Sequence, residues 1–60
     1  MSQPPVGTRV LIVEDDTIIA MTAEDMLDEC GCKTAAIAVS VAEALARAAD
    51  TDFDIALLDL

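Results

Sequence analysis

The stretch RVLIVEDD, residues 9–16, sets the fold class of this chain. Its first part, residues 9–13, is a short apolar run rich in β-branched side chains, and an acidic triplet follows at once. Short apolar runs bounded by turn residues are typical of strands that are covered on both faces. We therefore predict a buried strand over residues 9–13, with carboxylates at its C-terminal end.

A helical repeat follows these acids. Its apolar residues share one face of a helix; they are Ile19, Ala23, Met26, Leu27 and Cys30. Asp16 or Thr17 can cap the start of this helix, and Gly31 stands where a left-handed residue normally ends one. We expect Met21 and Met26 to fill gaps in the core, since methionine adapts well to irregular core space.

The two cysteines predict packing rather than chemistry. Cys30 and Cys32 are separated only by Gly31, which is too short a spacing for an ordinary disulfide between separate elements. The chain has no His and no other Cys, so a zinc site would lack ligands. We expect both cysteines to be structural.

The second half of the chain repeats the alternation of strand and helix. Residues 33–39 are a weaker strand candidate, because alanine is a poor strand former. In the segment SVAE, residues 40–43, Ser40 and Glu43 form a capping box in which each side chain satisfies the other residue's free amide. The apolar stripe of the helix that follows consists of Ala44, Leu45 and Ala48.

A third buried strand is predicted over residues 53–58, after the acidic turn at residues 50–52. The order is then strand, helix, strand, helix, strand. Strands that alternate with helices indicate an α/β fold with a parallel sheet and right-handed crossovers.

Acids lie where such a sheet places its ligands, beyond the carboxyl ends of the strands. Glu14 and Asp15 follow the first strand, and Asp59 ends the third. If these strands are neighbours, the carboxylates converge in one shallow cleft and raise each other's pKa values. Such a site favours a hard cation, and Mg²⁺ fits best because it takes one or two carboxylates, several waters and phosphate oxygens.

The remaining acids near the strands have simpler interpretations. Asp16 is expected to be a helix cap or a solvated turn residue. The acids around the third strand are expected to be solvated turn and strand-edge residues; they are Asp50, Asp52 and Asp54.

Composition narrows the class of protein. Sixty residues make at most one small domain, and the formal net charge of −9 argues against nucleic acid as a partner. No apolar run reaches the roughly 20 residues of a membrane span, and residues 1–8, MSQPPVGT, lack the pattern of a signal peptide. We expect residues 1–8 to be a flexible tail, and the protein to be cytoplasmic.

Four segments together resemble the first half of a bacterial response-regulator receiver domain, the phosphoacceptor module of two-component systems. They are RVLIVEDD, LDECG, SVAEAL and FDIALLDL, and the resemblance covers residues 9–60. It implies a flavodoxin-like parallel sheet with strand order 2-1-3 over this part of the domain.

The resemblance also implies a function. Asp59 matches the phosphoacceptor, and Glu14 and Asp15 match the acidic pair that holds Mg²⁺ together with it, Asp15 being the more direct ligand. The expected phosphodonor is a sensor histidine kinase or a histidine phosphotransfer protein. The module is then a signalling domain rather than an enzyme with its own substrate.

The sequence stops at the third strand, whereas the family has five strands. The family's Thr or Ser after strand four and Lys after strand five are not among these residues, so we expect the sixty-residue piece alone to be incomplete for phosphorylation. Lys33 does not replace that Lys, because it starts the strand at the opposite edge. Residues 53–60 would form an apolar sheet edge, to be covered by further residues or by self-association with a second copy.

Two other classes of function stay open at the level of sequence. One is a phosphatase or phosphotransferase fragment with an Asp nucleophile, which the acidic pair after the first strand disfavours. The other is a non-signalling interaction fragment whose acids are only solvated turns. A dinucleotide or P-loop site is disfavoured, because neither glycine-rich motif occurs.

Overall fold

The computed structural model describes residues 5–59 and has the predicted alternation of strands and helices. The elements are β1 (Arg9–Glu14), α1 (Thr17–Glu29), β2 (Lys33–Ala38), α2 (Val41–Asp50) and β3 (Ile55–Asp59). The strands form one parallel sheet in the order β2-β1-β3. The predicted α/β class and the 2-1-3 strand order of a truncated flavodoxin-like fold are both confirmed.

β1 is the centre of the core. Val10 and Ile12 face α1 and pack in a cluster with Ala20, whereas Leu11 and Val13 face the other side, where α2 lies. All four of these β1 side chains are buried. A strand covered by helices on both faces needs apolar residues at successive positions, which explains the unbroken run in the sequence.

The ends of α1 follow the predicted signals. Asp16 is the N-cap, and its Oδ1 accepts hydrogen bonds from the amides of Ile18 and Ile19 at 2.9 and 3.2 Å. Gly31 has a φ of +83°, and its amide donates to the carbonyl of Asp28. The amide of Cys32 donates to the carbonyl of Leu27, which completes a Schellman motif.

One of the two hydrogen bonds of the predicted capping box of α2 is found among the described residues. Ser40 is the N-cap, and its Oγ accepts from the amide of Glu43 at 3.1 Å. The reciprocal bond from the Glu43 carboxylate to the Ser40 amide is not among the hydrogen bonds of residues 5–59. The helix ends at Asp50, as the acidic turn predicts.

The segment before β1 is tied to the rest of the molecule. The amide of Gly7 donates to the carbonyl of Gly31, and the carbonyl of Thr8 accepts from the amide of Lys33, both at 2.8 Å. These bonds involve Gly7 and Thr8 of the predicted tail, and residues 1–4 lie outside the described range. Neither described helix is long and apolar enough to cross a lipid bilayer.

The prediction that the third strand is buried is wrong for the described chain. Every residue of β3 is exposed, and Leu58 keeps 69% of its surface accessible. Both helices lie over β1 and β2, and neither packs closely on β3. An apolar strand is buried only if something covers it, and here β3 is one edge of the sheet while Lys33 starts the strand at the other.

Several core assignments on the helices are also wrong. Met21 and Met26 are exposed, at 59% and 62%, and Cys30 is exposed while Cys32 is buried. The face of α1 that packs on the sheet is centred on Ala20, together with Ala23 and Leu27, so that face is rotated relative to the predicted stripe. In α2, Ala44 packs on the core, whereas Leu45 is exposed next to the uncovered β3.

The two isoleucines Ile12 and Ile18 give a matched test of this core. Ile12 is 1% exposed and Ile18 is 75% exposed. We expect Ile12→Val to lower the free energy of unfolding by about 1 kcal/mol, because it opens a small cavity in β1. Ile18→Val should change it by less than about 0.5 kcal/mol. Urea unfolding followed by circular dichroism measures both, and equal effects would contradict the described core.

Candidate functional site

The carboxyl ends of β1 and β3 bring two of the predicted site residues together. β1 and β3 are parallel neighbours, and their register pairs Ile12 with Leu57 and Glu14 with Asp59. Side chains alternate along a strand, so Glu14 and Asp59 lie on the same face of the sheet as Ile12, the face that α1 covers. The first and third strands are therefore neighbours, which was the condition for their terminal carboxylates to converge.

Glu14 is a buried acid. It is 4% exposed, and its Oε1 accepts a hydrogen bond from the backbone amide of Asp16 at 3.0 Å. Its other oxygen, Oε2, is buried and has no hydrogen-bond partner among the described residues. An unsatisfied buried carboxylate oxygen is costly, so this atom is available for a ligand or a proton.

The surroundings of Glu14 act on its pKa in opposite directions. The amide of Asp16 lowers the pKa of Glu14, whereas desolvation and contacts with the carboxyls of Asp15 and Asp59 raise it. The net direction is upward. The predicted crowding of carboxylates therefore agrees with the raised pKa of Glu14.

The other two acids of the RVLIVEDD segment have different positions. Asp15 is exposed in the turn between β1 and α1. Asp16 caps α1 with its side chain and holds Glu14 with its amide, which confirms the expected capping role and adds a second one. The short turn thus couples the start of a helix to a buried acid at the tip of a strand.

A cavity of about 260 Å³ lies beside the acids. Its walls include Ile19 and Ala23 of α1 and Leu57 of β3, with Glu14 and Asp59 at its acidic end. An apolar wall lowers the local dielectric, so charges at this end interact more strongly than in water.

The donor atoms fit a hard cation in kind. Within residues 5–59, no group of three or more His, Cys, Asp or Glu side chains is arranged to hold a metal ion. Mg²⁺, however, is usually held by one or two carboxylates and completes its shell with water and phosphate oxygens. Exposed carboxylates at Asp15 and Asp59, and the orphan Oε2 of Glu14, provide oxygen donors of this type.

Comparison with known proteins gives one informative match. The chain is 42% identical over 52 residues to protein-glutamate methylesterase/protein-glutamine glutaminase 2 of Caulobacter vibrioides. The match covers 87% of this chain but 15% of that relative, whose N-terminal part is a response-regulator receiver domain. The chain thus spans about a seventh of that relative's length, and the match is consistent with a fragment of a receiver domain. No family model matches, and no solved structure matches significantly.

Two features of the described chain were not anticipated from its sequence. One is the bond from the Asp16 amide to Glu14, which depends on the exact conformation of a tight turn. The other is at the far end of β3, where the carboxylate of Asp54 accepts a hydrogen bond from the backbone of Arg9 instead of being only solvated. The sequence signal for both is an acid next to a strand end, which also fits simple solvation.

Substitution of Asp59 tests the coupling between the two strand ends. Asp59→Asn removes a neighbouring negative charge, so the pKa of Glu14 should fall. A carboxyl whose folded pKa is raised stabilises the fold fully below its unfolded pKa, and this stability is lost as pH rises through the folded pKa. That pH-dependent loss should therefore be smaller in Asp59→Asn.

Carbon-13 NMR titration of the Glu14 carboxyl, with urea unfolding at acidic and neutral pH, measures both effects. Asp25→Asn is the matched control, because Asp25 is an exposed acid on α1 away from this site. If both variants left the Glu14 titration unchanged, Asp59 and Glu14 would not be neighbours in solution.

Proposed function

We propose that Asp59 is the phosphoacceptor of this receiver and takes a phosphoryl group from a sensor histidine kinase or a histidine phosphotransfer protein. The observation that carries the proposal is the pairing of Asp59 with Glu14 across β1 and β3, next to the exposed Asp15. The similarity of the chain to the receiver-containing relative supports it.

The chemistry requires an accessible carboxylate. A carboxylate oxygen of Asp59 attacks the phosphorus of a phosphohistidine, the P–O bond forms, the P–N bond breaks, and the histidine nitrogen leaves with its electron pair and takes up a proton. Asp59 is exposed at the end of β3, where a partner protein can reach it. The product is an acyl phosphate, and its added charge is the signal.

The neighbouring acids have roles in this scheme that follow from their burial. Asp15 is exposed and would be a direct ligand of Mg²⁺, together with Asp59, whereas the buried Glu14 would support the site through its free Oε2. When bound, Mg²⁺ supplies positive charge that neutralises the phosphoryl oxygens. The apolar wall beside Glu14 and Asp59 limits water on one side of the site.

The proposed role is that of a signalling module. Methylesterase activity is stated of the relative, and the present chain spans about a seventh of that protein's length (15%). The chain contains no His, so its own residues cannot form a Ser-His-Asp triad. A net charge of −9 disfavours direct binding to nucleic acid, and we place the module in the cytoplasm, where it would meet its kinase.

Phosphorylation tests the central proposal. A receiver domain that contains residues 1–60 should be labelled by a small-molecule phosphodonor such as acetyl phosphate, and the labelling should require Mg²⁺. Asp59→Asn should reduce labelling to background, because its amide is not a nucleophile. Asp52→Asn is the matched control: it removes an exposed acid before β3 and should keep full labelling. Persistent labelling of Asp59→Asn would place the acceptor elsewhere.

We also propose that the sixty-residue chain by itself associates through β3. Its outer edge has no paired strand within the described chain, and its side chains are apolar on both faces of the sheet. Unpaired apolar edges are templates for pairing with another chain. The net charge of −9 opposes this association, so salt should promote it by screening the repulsion.

Sedimentation of the sixty-residue chain tests this association. We expect the average mass to rise with protein concentration, and Leu58→Lys to shift it toward the monomer, because a charge on an edge strand blocks pairing. Met26→Lys is the matched control, since Met26 is similarly exposed on α1, at 62% against 69% for Leu58. A folded chain that stays monomeric at all concentrations would contradict the proposal.

A further inference from the structure

A pair of hydrogen bonds joins the start of β1 to the start of β3. The backbone amide of Arg9 donates to the Oδ2 atom of Asp54, and the backbone amide of Asp54 donates to the carbonyl of Arg9, both at 2.8 Å. The Nε of Arg9 donates in addition to the backbone carbonyl of Asp52 at 2.9 Å. The loop before β3 is thus fastened to one residue of the central strand.

We propose that Asp54 is a positioning residue: its carboxylate fixes the register of β3 on β1 and thereby places Asp59 beside Glu14. This inference rests on the proposed phosphoacceptor role of Asp59. Asp59 is five positions after Asp54, which is about 16 Å along a strand. Asp54 therefore does not touch the reacting groups and acts only through the strand.

The register decides on which face Asp59 lies. Side chains alternate across a strand, so a slip by one residue moves every side chain to the opposite face. In the observed register Asp59 is paired with Glu14 on the face that α1 covers. After a one-residue slip, Asp59 would face the side of α2, away from Glu14 and from the cavity beside it.

The apolar side chains of β3 do not select this register. Ile55 and Leu57 lie on one face and Ala56 and Leu58 on the other, so both faces are apolar. Neither helix packs closely on β3, and all of its side chains are exposed. Register is weakly specified in strands whose two faces are alike. Hydrogen bonding at the start of the strand, beside the packing of Phe53 on the core just before it, therefore carries much of the specification that packing along a strand usually provides.

The carboxylate of Asp54 bonds to Arg9, whereas the carboxylate of Asp52 does not. Asp52 takes part through its backbone carbonyl, which every substitution preserves. No hydrogen bond of the Asp52 side chain is recorded among residues 5–59. Asp54→Ala and Asp52→Ala thus remove the same charge two residues apart, but only the first removes a bond between β1 and β3.

The test compares variants of the sixty-residue chain by NMR. Cross-strand nuclear Overhauser effects between residues 10–14 and 55–59 report the register, and amide hydrogen exchange at Arg9 reports its bond to Asp54. In Asp54→Ala we expect a second, slipped set of cross-strand signals and exchange at Arg9 faster by about tenfold. Asp52→Ala should match the wild type, and Asp54→Asn, which keeps an acceptor oxygen, should restore the single register.

A variant that lowers the stability of the fold without removing the bond between Arg9 and Asp54 should not change the register of β3. Ser40→Ala removes the cap of α2, which destabilises the fold without touching the bond between Arg9 and Asp54. It should keep the single register of β3. If Asp54→Ala does not fold, Asp54→Glu replaces it: the longer side chain displaces the carboxylate, so the slipped register should again be populated. Wild-type register in a folded Asp54→Ala or Asp54→Glu, or slippage in Ser40→Ala, would overturn the proposal.

Mn²⁺, used as a paramagnetic probe, separates this inference from the proposed function. In the wild type it should broaden the signals of Asp15 and Asp59 together, and in Asp54→Ala the broadening at Asp59 should weaken more than that at Asp15. If the wild type shows no broadening at either residue, the cation site of the proposed function fails. The cross-strand signals that report the register are measured without any added cation, so they still decide the role of Asp54.

Discussion

The burial of β1 on both faces is the constraint on which the rest of the structure depends. Its apolar run packs against α1 through Val10 and Ile12 and toward α2 through Leu11 and Val13. A strand in this position must have both edges paired, because buried backbone amides and carbonyls need partners. β2 and β3 provide these partners. The parallel order 2-1-3 and the placement of the helices on opposite faces follow from this one covered strand.

The same constraint produces the acidic site. A buried strand ends where its side chains become polar, and here the chain changes from Val13 to Glu14 while it is still inside the fold. Glu14 is therefore held at low exposure with one oxygen satisfied by Asp16 and the other free. Its raised pKa reflects this position as well as the nearby carboxyls. The site is thus a consequence of how β1 terminates, to which β3 adds Asp59.

The predictability of each feature depends on how local its physical cause is. The strand-helix order, the cap at Asp16 and the left-handed Gly31 were predictable because each follows from the residue itself or its neighbours in sequence. The exposure of Met21 and Met26 was not, because it depends on which face of α1 meets the sheet. The open edge of β3 was predicted, but the exposure of its two faces was not, since an apolar pattern shows that a strand can be buried but not what covers it. For the site, sequence predicted that Glu14 and Asp59 would be close if β1 and β3 were neighbours. It did not predict the hydrogen bonds between Arg9 and Asp54.

Different interactions act on the pairing of β3 with β1 at the two ends of β3, and this difference matters for the proposed chemistry. At its C-terminal end, Glu14 and Asp59 repel each other when both are ionised, so electrostatics disfavours the pairing on which the site depends. At its N-terminal end, the mutual bonds of Arg9 and Asp54 favour that pairing. A β3 strand with apolar residues on both faces contributes area but little choice of register. On this proposal the alignment of Asp59, the proposed phosphoacceptor, is set at the opposite end of its own strand, about 16 Å from the proposed phosphoryl transfer.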